Sequence, residues 1–539
     1  MRSCLAVLLL GCCLEAAAHI GSPNVFLEDN AGPYPVRVVV RPPQVVPGLA
    51  EITVRAHEPV RRVSVLPVFW KAGREGSPPP DEARLVRGET NLYSAQLWLM
   101  KPGAYSVDVT IEGARGHGTL VVPVNSMATN TRPMSRGHAI LLSALATVLF
   151  LGGLKIAGAI FGESRLEPGV FATRKDRWRG RAAMMLAAVV LSLMLFGGWK
   201  WWEFEDRNYR NNALYKPLPV SARVRTDHDQ LILTIEVDAA ESRGRWTPLI
   251  PDHGKLMHLF LVREGSSAFA HLHPVQRSGE EFEVPLPPLP AGLYHLYADV
   301  THEDGFSETL IASAEIPTAS LAMKRLWLGN SEEAICSVAV AQMLATNLFF
   351  PPDSDDSWQM DNGPSVSSPQ RNRLSQVAGQ QIADANGGYQ MIWENPESMV
   401  SNLDSSLRFK LLMPDGQPAP IEPYMGMLGH AVVRRQDGAV FAHIHPVGTF
   451  SMAAQVFFVN GKPPKHAALQ AQSGFLTAEQ SSPGQEHHAS HTNRLGAVGE
   501  ISFPYAFPEP GSYRFWVQMK SQGRILTGVF DTTVSATKR

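Results

Sequence analysis

Between residues 25 and 124 the apolar positions come in short runs, Val36–Val40, Ala50–Val54, Val63–Phe69, Leu92–Leu99 and Tyr105–Ile111, each bounded by proline, glycine or charge. Short runs of this kind between turn residues are the pattern of strands with one face buried. About 100 residues of such rhythm predict an immunoglobulin-like β-sandwich, placed here at residues 19–135. The rhythm then breaks. Ala139–Leu154 runs sixteen residues without a charge and continues past Lys155 into Ile156–Gly162, and Ala182–Trp199 is a second apolar run closed by Lys200, Trp201 and Trp202. About twenty apolar residues span a bilayer, so transmembrane helices are expected at 139–161 and 182–202. The segment between them, 162–181, carries Arg165, Arg174, Lys175, Arg177, Arg179 and Arg181. The positive-inside rule puts that loop in the cytoplasm and both flanking regions on the opposite side of the membrane.

Strand rhythm resumes at Leu231–Val237, Leu256–Val262, Ala268–Leu272, Glu281–Val284, Gly292–Val300 and Glu308–Ala314. It predicts a β-domain over 215–320. Residues 321–384 read as an irregular linker, with a short helix expected at Ala334–Thr346 and a Ser-, Asp- and Pro-rich stretch at Pro351–Arg373. A last β-domain covers 385–535. The fold class is therefore mainly β, with multiple immunoglobulin-like or cupredoxin-like β-sandwich domains and two transmembrane helices.

The last two domains repeat one another. His258–Val275 reads HLFLVREGSSAFAHLHPV and His430–Val447 reads HAVVRRQDGAVFAHIHPV, at a constant offset of 172 residues. AGLYHLYADV at 291–300 returns in weaker form as PGSYRFWVQM at 510–519. In a strand, residues i and i+2 share a face, so His271 with His273, and His443 with His445, form paired donors. A thirteen-residue return through a turn brings His258 or His430 beside them. Three neutral imidazoles suit Cu(II), Zn(II) or, in trigonal form, Cu(I). Methionine tips the balance toward copper in the second repeat, where Met425 and Met427 precede His430 and Met452 follows the pair; Met427 and Met452 are the candidate thioether ligands. The first repeat instead has Asp252, His253 and Met257 before His258. His487, His488 and His491 form a further cluster in an insertion, readable as a metal-capturing or an ordinary polar loop.

Composition narrows the function classes. The formal net charge of -2 gives no electrostatic case for nucleic acid. Cysteine occurs at 4, 12, 13 and 336, which excludes a disulfide framework once the leader is removed. That leader is a signal peptide over residues 1–18, with an apolar run at Cys4–Gly11 and small residues at Ala16–Ala18. Leu9–Cys12 also resembles a lipobox, the competing processing site. Cleavage after Ala18 would expose His19, whose α-amine and imidazole can together chelate one copper ion. Gly-x-Ser-x-Gly, His-Glu-x-x-His, P-loop and Rossmann patterns are absent, so any enzyme here would be metal-based.

The segments AHIGSPNVF and YMGMLGHAVV…FAHIHPVGTFSMAAQ resemble bacterial envelope proteins associated with copper handling, whose extracytoplasmic modules are similar to YtkA-like and copper-resistance β-sandwich domains. The resemblance implies a cupredoxin- or immunoglobulin-like fold with His430, His443 and His445 as ligands. It departs in two respects: neither repeat has the cysteine of a blue-copper site, and the soluble carriers lack mid-chain spans. The expectation is a protein of the bacterial inner membrane, its large soluble parts in the periplasm, that binds, buffers or delivers copper, with zinc as the alternative ion. Its expected partners are the bilayer and copper-handling or oxidase-assembly proteins. The rival readings are a metal-free envelope scaffold and a metal-dependent enzyme.

Overall fold

The computed structural model describes residues 19–20, 24–167, 169–238, 240, 242, 244–328, 350–360, 380–385, 387–396, 399–461 and 499–537. The expected leader at 1–18, the helix at 334–346, Cys336 and His487, His488 and His491 lie outside them. The chain forms two compact units, one of them being residues 44–46 with 127–215 and the other everything else.

The smaller unit is a helical hairpin. Helix Arg136–Glu163 starts at Ser135, whose side chain accepts from the His138 backbone N–H. Helix Arg174–Asn208 starts at Thr173, where Thr173 and Asp176 form a reciprocal capping box. That box begins the second helix inside the basic stretch, so Arg174, Lys175, Arg177, Arg179 and Arg181 occupy its first turns. Both helices are long and apolar enough to cross a membrane, and their most apolar windows contain no buried residue. Glycine lets them approach. A Cβ on Gly180 would lie 3.0 Å from the Gly158 carbonyl oxygen, and one on Gly162 would lie 3.4 Å from the Gly180 Cα. Small residues are the means by which helices gain close contact in lipid, where apolar burial supplies no drive.

The larger unit is built of paired sheets. Its first sandwich sets Val25–Ala31, Tyr34–Arg41, Gly48–Ala56, Leu92–Leu99 and Arg84–Leu85 against Gly116–Ser126, Gly103–Gly113, Arg62–Phe69 and Asp81–Glu82. Alternate residues fill the space between, among them Val36, Val38, Val40, Ile52, Val54, Val107 and Val109.

Each repeat is likewise two sheets. In the first, Ser307–Ile316, Gly292–Thr301, His258–Arg263 and Phe269–Leu272 form one sheet, and Val220–Asp227, Gln230–Val237, Glu281–Leu286 and Val275–Gln276 the other. In the second, Arg524–Ser535, Gly511–Ser521, Gly429–Arg435 and Val440–Ile444 correspond in the same order, backed by Gln381–Asp384, Gln390–Trp393, Ser405–Leu412 and Glu500–Tyr505. The segment between the repeats is less irregular than its composition suggests. Leu321–Leu328 is helical, and Ser357–Gln359 adds a strand to the edge of Phe269–Leu272. Trp327 and Trp358 anchor both in the core of the first repeat, their rings 5.5 Å apart and near perpendicular. Three strand residues among aspartates are too few for a period-two signal.

The histidine faces of the two repeats meet. Phe260, Val262, Phe269 and Tyr297 of the first form one buried cluster with Val432, Phe441 and Trp516 of the second. Tyr297 stacks on Phe441 at 3.9 Å and Phe269 on Trp516 at 5.2 Å. Arg434 Nε donates to the Tyr297 hydroxyl at 3.0 Å, and Trp516 Nε1 to the Ser267 carbonyl at 3.0 Å.

Candidate metal centre

Strand register assembles each triad. Leu259 lies opposite Leu272 and Phe260 opposite His271, which sets His258 across from His273 on the shared face. Ala431 opposite Ile444 and Val432 opposite His443 do the same for His430 and His445. Ahead of each first histidine the chain makes the same turn. Asp252 bridges to Lys255 and Tyr424 to Met427. Two left-handed residues lie between: His253 and Gly254 at φ 51 and 80, Met425 and Gly426 at φ 50 and 77.

These contacts bring together the ligand nitrogens of His258, His271 and His273, and those of His430, His443 and His445, each set within 4.8 Å of one another. The hydrogen bonds of the rings decide which nitrogens carry protons. His258 Nε2 lies 3.0 Å from the Asp252 carbonyl oxygen, which only accepts, so the proton sits there and Nδ1 is bare. His271 Nδ1 donates at 2.9 Å to Gln518 Oε1, whose own amide nitrogen is turned to the Ser357 hydroxyl at 2.6 Å, and this leaves His271 Nε2 bare. The two bare nitrogens face each other at 3.3 Å. An ion held at zinc–imidazole bond lengths separates its nitrogen ligands by roughly 3.3–3.6 Å. His273 completes the set: Nδ1 lies 2.9 Å from Asp356 Oδ1, and Nε2 is buried with no partner.

The second triad follows the same plan. His430 Nε2 donates to the Tyr424 carbonyl at 3.1 Å, and its bare Nδ1 lies 3.1 Å from His443 Nε2. His443 Nδ1 lies 3.2 Å from Asp299 Oδ2. Burial pushes the Asp299 carboxyl up to about 7, although Thr309 donates to it. As a carboxylate, Asp299 accepts a hydrogen bond from Nδ1–H, which holds the proton there and leaves His443 Nε2 bare. Neither nitrogen of His445 has a partner.

Burial also keeps the rings neutral. Desolvation lowers His258 to about 4. It holds His271, His273, His430, His443 and His445 well below the usual imidazole range, with neighbouring histidines adding to the effect. Neutral imidazole is the metal-binding form.

The repeats exchange supports. Asp299 pairs in register with His258 but bonds His443, while Gln518 pairs with His430 but bonds His271. Asp353, Asp355 and Asp356 come from the segment between the repeats. Both oxygens of Asp353 take Lys255 Nζ at 2.6 Å. Asp356 accepts the backbone N–H and faces the ring of His273, the arrangement that orients a ligating histidine. His273, Asp353 and Asp356 also satisfy the geometry of a metal-binding group. With Asp353 neutralised by Lys255, we read the two aspartates as supports of His273.

All six triad histidines expected from the motif thus come together. Met427 and Met452 lie in the apolar cluster of the N-terminal sandwich with Leu27, Val38 and Phe450. His19 is placed by its backbone, which with Ile20 runs parallel to Val440–Phe441 on the strand that carries His443. His295, by contrast with the triads, faces Ser313 and Val262 in the sheet. Asp299, Gln518 and Asp356 had no sequence signal, since each reaches its histidine from a distant strand or loop. His253 had one: it aligns with Met425 at the motif's own 172-residue offset, each followed by glycine.

A family model described as Domain of unknown function (DUF8832) matches residues 221–316 and 383–536, the two repeats. The comparison with curated proteins gives no match. Among solved structures the chain is similar to a tetra-tandem repeat from the extending region of a large adhesion protein, at 8% identity over 96% of this chain and 100% of that one, with a TM-score of 0.14. A putative membrane anchored protein from Corynebacterium diphtheriae matches at 7% identity over 96% of each chain, with a TM-score of 0.13. At TM-scores this low, nothing about this chain's fold or function rests on them.

Proposed function

We propose that this is a membrane-anchored, extracytoplasmic protein of the bacterial envelope that binds, buffers or delivers copper through its histidine triads. The observation that carries the reading is the facing pair of bare nitrogens in each triad, with further buried ring nitrogens left unpaired beside them. A buried unpaired polar atom costs about 1–3 kcal/mol, and a bound ion removes that cost for several atoms at once. Copper is preferred because Cu(II) stands above Zn(II) in the affinity order of divalent ions for nitrogen donors. Zinc takes the same donors and is the competing ion. With Met427 and Met452 in an apolar cluster, the preference rests on the histidines. We read each repeat as an immunoglobulin- or cupredoxin-like sandwich, the two apolar helices as inner-membrane anchors, and the β unit as periplasmic. Copper-handling or oxidase-assembly proteins are the partners this role calls for, and a binding role is preferred to an enzymatic one.

The test is elemental analysis and anaerobic titration of the detergent-solubilised full chain with Cu(I), Cu(II) and Zn(II). Stoichiometric copper binding that is lost in the combined variant His271→Ala, His273→Ala, His443→Ala, His445→Ala is the expected result. Tight zinc with weak copper would replace the metal, and no binding at micromolar ion would sink the proposal.

A further inference from the structure

His253 belongs to neither triad, yet it stands between them. It occupies the first left-handed position of the Asp252–Lys255 turn, at φ 51, a conformation uncommon outside glycine. Its side chain is only 6% exposed, its Nε2 has no hydrogen-bond partner, and the nearest carboxylate oxygen, Asp252 Oδ1, is 3.8 Å away. The ring points across the repeat boundary. Its centroid lies 5.0 Å from His445 and 5.6 Å from His430, nearer than the 6.0 Å to His258 of its own repeat.

A structural histidine in the same repeat looks different. His302 is equally buried, but its Nε2 meets Glu308 at 2.9 Å and its Nδ1 meets Thr247 at 3.0 Å. His253 and His445 together leave three ring nitrogens buried and unpaired. The triads themselves are also close, with His258 5.7 Å from His443 and His271 5.9 Å from His430, centroid to centroid.

We propose that the two triads are halves of a single two-metal centre, and that His253 crosses from the first repeat to serve as fourth ligand to the ion at His430, His443 and His445. The proposal rests on the metal-binding reading above and goes beyond it. Each ion is a borderline d-block cation, and the ions are close enough to sense each other. The second triad is then complete only when the first repeat is docked against it, because His253 and Asp299 both come from there. Four imidazoles make a closed tetrahedral shell at that ion, whereas the three of the first triad leave a position open.

The full chain in detergent, stripped of metal and reloaded with Cu(II), decides the matter by elemental analysis and electron paramagnetic resonance. The expected result is two ions per chain with a spin signal below that of two isolated ions. In His253→Gly, which suits the left-handed backbone, and in His253→Gln, which keeps bulk, one equivalent is expected to weaken by about 10-fold or more while the other persists. Circular dichroism of the glycine variant checks that the fold is retained. A single ion in the wild type, two ions with uncoupled spectra, or both variants binding like the wild type would each overturn the two-metal centre. No ion in the wild type would instead overturn the metal-binding reading on which it rests.

Discussion

The two triads share their spacing, their strand register and the proton placement of their first two rings, and they differ in what stands behind each ring. In the first, His273 leans on the buried carboxyl group of Asp356 and His271 on the amide of Gln518. In the second, His443 leans on Asp299 and His445 on nothing, with His253 beside it. Each triad therefore has one carboxylate, at a different ring. The outer edges differ too. Ser357–Gln359 closes the first, whereas the second is closed by His19–Ile20 and by Glu28, whose N–H donates to the Val447 carbonyl at 2.8 Å. The lesson is that duplication carried the ligands, while distant segments supply the supports and can tune two like sites apart.

Acid breaks both triads at once and has the largest expected effect. The folded state holds His258 at about 4 against 6.5 for a free imidazole, and the other five triad rings well below 6.5. An unfolded chain thus takes up protons that the folded one refuses. Stability present above pH 6.5 is lost as pH falls toward 4, each imidazole adding to the loss. Thermal melts of the metal-free protein across that window are expected to drop steeply, and a flat profile would mean that the rings are not buried neutral.

Truncating the junction comes next. Phe441→Ala removes the ring stacked on Tyr297 and is expected to cost about 3–5 kcal/mol, read by urea denaturation followed through tryptophan fluorescence. A cost below about 1 kcal/mol would show that the repeats do not hold each other.

The supports sharpen the comparison itself. Asp356→Asn is expected to weaken the His258 triad by about 10–100-fold and leave the other unchanged, and Asp299→Asn to do the reverse. Competition titrations on each variant, with His443→Ala or His271→Ala as site markers, tell the two apart. Equal losses at both triads would contradict the assignment of one carboxylate to each. Gln518→Ala, which removes a neutral partner from His271, is expected to have the smallest effect, about 1 kcal/mol in binding to the first triad, seen in the same titrations.

Much was legible in the residues alone. Short apolar runs between turn residues, such as Val36–Val40, mark strands, and the apolar runs after Ala139 mark long helices because lipid tolerates few charges. The spacing of His258, His271 and His273 is enough to predict a triad, since a hairpin leaves little freedom over thirteen residues. Sequence could not reveal that the triads meet. That depends on Phe260, Tyr297, Phe441 and Trp516 closing one sheet on another, contacts between residues more than a hundred positions apart. It also could not reveal that Asp299 serves the other repeat's histidine or that Asp356 descends from a linker. Local periodicity encodes which face a side chain takes, and only the packing of distant strands decides what that face meets.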